Sequence, residues 1–258
     1  MSGRGRGRLD GTVALVTGAS SGIGEAAALS LAAEGAAVAV VARRKDRLDG
    51  VVTRIREEGG SAHAFDADLA APGEAAAVVG RVVEALGRLD TVVNSAGVML
   101  IGPAIGTPVE EWLRTVDINV SALLQVAHAA LPHLVEAAAE GPRGVADLVN
   151  ISSVAGRVAG PGAAAYNLSK FGVTGLSEAL RQEFAGKYVR VSVVEPGAVA
   201  TELTDHIQPG VRENIRAWYG SMENLTAEDV GEAVGYIVTR PRRMAVNEMV
   251  VRPTVQES

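Results

Sequence analysis

The sequence predicts a single-domain α/β protein: a doubly wound parallel sheet of about seven strands with helices on both faces. Three observations carry that prediction. A chain of 258 residues suits one large domain. From Thr12 onward, short Val-rich runs alternate with longer helical patterns. Several of the short runs are apolar at consecutive positions, as strands covered on both faces are. Alternation of this kind builds βαβ units, and hence a parallel sheet.

Taken in order, the run 12–17 is the first strand, and it leads through a glycine-rich turn into a helix over 23–34. Strands over 37–41 and 61–65 precede helices over 45–58 and 73–86. A fourth strand, 90–94, is followed by a long helix over 109–139 that Pro108 starts. A fifth, 146–151, precedes a helix over 164–185, and the sixth is 189–195. Thr226, with Glu228 and Asp229 behind it, starts a helix over 226–239, and 246–251 is the last strand. The stretch 198–225 has no clean period and holds Pro209, Gly210, Gly220, Trp218 and Tyr219. A long irregular segment inside a compact domain is read as a substrate loop or lid. No repeat, linker or composition shift divides residues 9–258, so they form one domain.

Composition narrows the function classes. Absence of cysteine excludes disulfides, thiolate metal sites and a Cys nucleophile together. His63, His128, His133 and His206 have no metal-binding spacing, so no metal is expected. With 48% hydrophobic and 21% charged residues, the chain is a globular one. The apolar stretch from Ala26 is broken at Glu34, short of the ~18 residues a membrane span needs, so no membrane is expected. The first eight residues hold three arginines among glycines, too few cations to expect nucleic-acid binding, and read as a frayed terminus. They lack a signal peptide's apolar region, and the expected compartment is the cytoplasm.

Chemistry enters at the first turn. Thr17-Gly18-Ala19-Ser20-Ser21-Gly22-Ile23-Gly24 joins the first strand to the first helix. Glycines at 18, 22 and 24 allow a tight turn and a close approach to a phosphate, and the helix start offers free N–H groups. At the end of the second strand, an acid would bond an adenosine ribose. The chain reads Ala42-Arg43-Arg44-Lys45 there instead. Arg43 offers a bidentate donor for a 2′-phosphate and Arg44 adds positive field. The expected cofactor is therefore NADP(H).

Tyr166 and Lys170 stand four apart on one helix face. An ammonium beside a phenol is expected to lower the tyrosine pKa, making Tyr166 an acid/base group. Thirteen residues before Tyr166, Ser153 follows the close of the fifth strand, at the carboxyl end where doubly wound folds bind ligands.

The glycine turn 17–24, Asn94-Ser95-Ala96-Gly97, Asn119, Ser153, Tyr166-x-x-x-Lys170 and Pro196-Gly197 occur in one ordered set. In that set, over about Leu9 to Pro253, the chain resembles the short-chain dehydrogenases/reductases of Rossmann-type fold. Ala42-Arg43-Arg44, Glu178 to Glu183 and Val251-Arg252-Pro253-Thr254 look most like the clavulanic acid dehydrogenase-type branch. The resemblance implies roles. Ser153 orients substrate, Tyr166 donates the proton, Lys170 holds the nicotinamide ribose, and Asn119 holds a water in the proton relay. Gly18, Ser20, Ser21, Gly22, Ile23 and Gly24 cradle the pyrophosphate. Asp68 and Leu69 match the adenine contact, while Asn94, Ala96 and Gly97 line the adenosine side. Pro196, Gly197, Val199 and Thr201 match the nicotinamide segment. Two positions depart from the pattern, Ser95 and Leu168, and neither removes a catalytic group.

The function expected is hydride transfer between NADP(H) and a carbonyl/alcohol pair of a small molecule. An NAD-dependent secondary-alcohol dehydrogenase and a non-catalytic dinucleotide-binding regulator share the fold. The intact Ser153–Tyr166–Lys170 set argues against the regulator. Long alanine-rich helices over 109–139 and 164–185, with the family likeness, imply a homotetramer, or a dimer if a second interface is missing. His128 and His133 read as packing residues, and Met99 and Leu100 as a pocket floor or core.

Overall fold

The structure, a computed structural model, describes residues 7–257. The elements run β1 (Val13–Thr17), α1 (Gly22–Ala33), β2 (Ala37–Ala42), α2 (Lys45–Glu57), β3 (Ser61–Asp66), α3 (Glu74–Leu86), β4 (Thr91–Asn94) and α4 (Val109–Val116). They continue through α5 (Leu123–Glu140), β5 (Ala146–Ile151), α6 (Ala164–Phe184), β6 (Val189–Pro196), α7 (Pro209–Tyr219), α8 (Ala227–Val238) and β7 (Glu248–Val251).

Among the described residues seven strands form one parallel sheet in the order β3-β2-β1-β4-β5-β6-β7. Pairing is tight in register: Leu15 stands beside Ala39 on one side and Val92 on the other. The chain winds outward from β1 to β3, returns to β4, and winds outward the other way. That reversal opens a crevice at the carboxyl ends of β1 and β4. Both faces of the sheet are covered. Leu31, Val38, Ile55, Val234 and Ile237 build one core layer with α1, α2 and α8. Val78, Val82, Val126, Leu134 and Leu148 build the other with α3 and α5. Consecutive burial along β1 (Val13 to Thr17) is the physical origin of its unbroken apolar run.

Four expectations need correction. Residues 1–6 of the expected tail lie outside the described residues, but Arg8 is tied down: its Nε donates to Glu34 Oε2 at 2.8 Å. Leu9 beside it is fully buried. The long helix over 109–139 is two helices joined by a wide π-helical turn, Asp117–Ala122. It also carries Pro132 inside α5. The segment 198–225 holds α7, because Pro209 sits in the helix's first turn, where a missing N–H costs nothing. Finally, Val109–Glu140 is long and apolar enough to cross a membrane by length and composition, which the stretch from Ala26 did not anticipate. Its inner face, including Val126, Ala130 and Leu134, is buried against the sheet as a core helix is.

Candidate active site

The crevice at the switch point is a cleft of about 470 Å³. Its floor is the turn between β1 and α1. Gly18 has φ +67°, and a Cβ there would lie 2.8 Å from the Ala96 backbone. A Cβ on Gly24 would lie 2.4 Å from the Gly18 carbonyl oxygen. Only glycine lets the turn close this far. Ser21 at the helix start makes no side-chain cap. Gly22, Ile23 and Gly24 at the start of α1 line the cleft, and the uncapped N–H groups of a helix start are donors for an anion, a seat that fits a pyrophosphate.

Beside that seat lies the end of β2. Ala42 is buried and brings no carboxylate to the cleft. Arg43 lines it, and among the described residues no hydrogen bond or ion pair engages its guanidinium. Arg44 is engaged. Its Nη2 donates to Ser20 Oγ and Ser21 Oγ, both at 2.9 Å, and its Nη1 meets Glu202 Oε2 at 3.1 Å. Arg47 reaches the same carboxylate at 2.6 Å. Together Arg47 and Arg44 hold the Glu202 carboxyl below its usual range.

The candidate reacting groups, Ser153, Tyr166 and Lys170, also line the cleft. Ser153 leaves β5 in extended conformation, and its Oγ accepts from the Ala155 N–H at 3.1 Å. Tyr166 and Lys170, one turn apart on α6, both line the cleft and both are buried. Lys170 Nζ donates to the Ile151 carbonyl at 2.9 Å and lies 5.7 Å from the Tyr166 ring centre. Burial pushes the Tyr166 phenol up to about 12, against a downward pull from hydrogen bonding with Ser153. Burial also pulls the Lys170 ammonium down to about 8. The expectation of a lowered tyrosine pKa is thus corrected: burial outweighs the pull of the Ser153 hydrogen bond. A phenol that keeps its proton at neutral pH is a proton donor in waiting.

The segment 201–224 lines one side of the cleft. Ala200 N–H donates to the Leu225 carbonyl and Leu225 N–H to the Ala198 carbonyl, closing the neck of the excursion 201–224. Two polar straps hold it down: Glu202 to Arg44 and Arg47, and Gln208 Nε2 to Glu111 Oε1 at 2.9 Å. On α7, Trp218 and Tyr219 pack edge-on, ring centres 5.3 Å apart, and both line the cleft.

Of the residues singled out from the sequence, the fold brings Gly18, Ser20, Ser21, Gly22, Ile23, Gly24, Arg43, Arg44, Asp68, Leu69, Ala96 and Gly97 into this cleft. Ser153, Tyr166, Lys170, Pro196, Gly197, Val199 and Thr201 line it as well. Asn94 and Asn119 stand behind its wall. Asn94 Nδ2 donates to Asn150 Oδ1 at 2.9 Å, bracing β4 against β5. Asn119, turned inward by the π-helical turn, accepts from Val98 N–H at 2.8 Å and donates to the Val98 carbonyl and Ser169 Oγ. It fixes the loop after β4. The sequence reading missed Glu202, Ile215 and Gln256 as lining residues. For Glu202, its place after Thr201 in the lid segment was an available signal. Gln256, whose Oε1 accepts from Ala198 N–H at 2.9 Å, had none.

Comparison with known proteins agrees with this geometry. The family model described as short chain dehydrogenase matches residues 12–212. A glycine betaine reductase of Emericella nidulans is 37% identical over 253 residues; the match covers 96% of this chain and 19% of that protein, so the chain spans about a fifth of it. An uncharacterized oxidoreductase of Staphylococcus saprophyticus is 33% identical, with 95% of this chain and 96% of that one covered. Among solved structures, the closed form of a serine dehydrogenase complexed with NADP+ superposes with a TM-score of 0.86 at 29% identity, covering 96% and 97% of the two chains. A metagenomic short-chain oxidoreductase in complex with NADP gives 0.80 at 32% identity, covering 96% and 100%. A glycine-floored crevice, a tyrosine and lysine one turn apart, and a match over most of the length converge: the chain belongs to the short chain dehydrogenase family.

Proposed function

We propose that this protein is an NADP(H)-dependent oxidoreductase that interconverts a ketone or aldehyde and its alcohol. The observation that carries the reading is Tyr166, buried beside Ser153 in a cleft that Arg43 also lines, with no hydrogen bond or ion pair to the Arg43 guanidinium among the described residues. NADP-bound relatives in the family support the cofactor. So does the likeness of Ala42-Arg43-Arg44 to the clavulanic acid dehydrogenase-type branch. When bound, the nicotinamide supplies or accepts the hydride. Ser153 and Tyr166 hold the carbonyl oxygen, and Tyr166 gives its proton as negative charge develops there. Lys170, anchored on the Ile151 carbonyl, would hold the ribose and supply local positive charge. Asn119 braces the loop over which the substrate sits. Glycine betaine and serine, in the names of two relatives, are not carried over to this chain. The test is NADPH consumption with a panel of ketones, aldehydes and keto acids. Binding of NADPH without turnover of any of them would make the protein a dinucleotide-binding regulator instead.

The protonation states set a pH signature. With its pKa pushed up to about 12, Tyr166 stays protonated well past neutrality, so it remains a competent acid. Lys170, pulled down to about 8, loses its charge above that pH. Reductive kcat/KM is therefore expected to be flat from about pH 6 to about 8 and to fall beyond. Alcohol oxidation needs the phenolate and is expected to rise over the same range. A reductive rate that climbs with pH would contradict this assignment.

We further propose a cytoplasmic homotetramer acting on small molecules, with no nucleic-acid or membrane partner. Leu168 and Phe171 on α6 are 66% and 45% exposed, and Leu113 and Leu124 leave α4 and α5 similarly bare. A second apolar set, Tyr236 and Val250, lies on α8 and β7. Two such faces on one chain suit two kinds of two-fold contact. Light scattering is expected to give four times the 26.5 kDa chain mass; a monomer at micromolar concentration would overturn the assignment, and a dimer would leave one face unused.

A further inference from the structure

The two ends of the cleft differ in chemistry. Toward the glycine turn it is charged, with Arg43, Arg44, Asp68 and Glu202 on its walls. Beyond Tyr166 it is walled by Met99, Ile101, Leu203, Ile215, Trp218 and Tyr219. Met99 and Ile207 pack directly around the Tyr166 ring, with Ile101, Leu203 and Ile215 behind them. Among the described residues no arginine, and no lysine but Lys170, lines this end. The nearest cations on the lid face elsewhere: Arg216 pairs with Asp205 at 2.7 Å, and Arg212 donates to the Asp205 carbonyl. His206 lines the cleft but is exposed. Lys170 is spent on the Ile151 carbonyl.

We propose that this chamber is a subsite for the apolar arm of an uncharged ketone or aldehyde, an aryl or branched alkyl group, and that it rejects carbonyl compounds bearing a carboxylate. Tyr219 is the residue that defines it. The neck at Ala198–Leu225 and the bond from Asn224 Nδ2 to the Tyr219 carbonyl, at 2.9 Å, fix the end of α7 in place. Tyr219 and Tyr166 line the same cleft, and Ile215, one turn before Tyr219 on α7, packs against the cluster that holds Tyr166. Trp218 extends that wall edge-on. A ring or branched chain entering here meets two aromatic surfaces and aliphatic side chains. A carboxylate entering here would shed its water with no arginine among the described residues to receive it, and with Lys170 already engaged by the Ile151 carbonyl.

The inference rests on the reading of Tyr166 as the reacting group, and the experiment separates the two. Acetophenone and benzoylformate share a phenyl ketone and differ in a methyl against a carboxylate. With NADPH, kcat/KM for acetophenone is expected to exceed that for benzoylformate by about a hundredfold or more. Tyr219→Ala is expected to raise KM for acetophenone by about tenfold, with kcat changed by less than about threefold and KM for NADPH unmoved. Tyr219→Phe keeps the ring and is expected to restore KM. Binding is read independently, from quenching of Trp218 fluorescence in the NADP+-loaded protein, with Trp218→Phe as the control. Acetophenone that binds there without being reduced would leave the subsite standing and overturn the reading of Tyr166. Benzoylformate that binds or turns over as well as acetophenone would overturn the subsite, as would failure of both ketones to bind. So would a Tyr219→Ala protein whose KM for acetophenone is unchanged.

Discussion

Replacement of Tyr166 by Phe is expected to leave a folded protein that binds NADPH and reduces carbonyl substrates at about 10²–10⁴-fold lower kcat. The change removes one hydroxyl from a ring that is 7% exposed and packed among Met99, Ile207 and Ile101. Those contacts are made by the ring, so they survive. Lys170 keeps its bond to the Ile151 carbonyl, and the glycine turn, some distance along the cleft, is untouched. What disappears is the proton that must arrive as the carbonyl oxygen gains charge. Nothing nearby replaces it: Ser153 is a far weaker acid, and water is held off by the same burial that raises the phenol pKa. Ser153→Ala is expected to slow turnover by a smaller factor, since it leaves the donor and removes one partner of the oxygen. The check is single-turnover reduction at saturating NADPH, beside a cofactor titration. A near-normal kcat for Tyr166→Phe would remove Tyr166 from the chemistry.

Much of this arrangement was legible before any coordinates. The Val-rich runs at 12–17, 37–41 and 189–195 are strands because both their faces are buried, and burial on both faces leaves an unbroken apolar signature. Residues 17–24, 153, 166 and 170 stand out in the sequence because each carries chemistry in its own side chain or its lack of one. Other features leave weaker marks. Proline and glycine at 209 and 210 read as a break, yet a helix tolerates proline in its first turn, and α7 begins there. The π-helical turn at Asp117–Ala122 is one inserted residue's worth of backbone, with no composition signal, and it decides where Asn119 points. The rise in the Tyr166 pKa depends on how much apolar surface Met99, Ile207 and the lid bring around the ring, and those partners lie far apart in sequence. The pairing of Glu202 is invisible to motif reading for the same reason: its partners Arg44 and Arg47 precede it by more than 150 positions.

Glu202 also sharpens what the cationic end of the cleft is expected to do. Arg44 is shared between two serine hydroxyls and a carboxylate, so its charge is largely answered within the protein. Arg43 is not, and it lines the cleft with a guanidinium that can fork onto a 2′-phosphate. One charge-assisted contact contributes about 1.5–3 kcal/mol, or about 10- to 150-fold in discrimination. NADPH is therefore expected to exceed NADH in kcat/KM by about tenfold or more, and Arg43→Ala is expected to erode that preference further than Arg44→Ala. Ala42→Asp combined with Arg43→Ala is expected to reverse the order. Ala42 ends β2 against the cleft, so an aspartate there adds a like charge against the phosphate and an acceptor for the bare ribose hydroxyls, while the second change deletes the attraction. Because Arg43 is exposed, its share of the preference is expected to shrink as salt rises, whereas the repulsion from a buried aspartate is expected to persist. The measurement is kcat/KM for both coenzymes in the unmodified protein, the two single variants and the double variant, at low and high ionic strength. Equal values in the unmodified protein would remove Arg43 from cofactor selection and leave NAD as the working coenzyme.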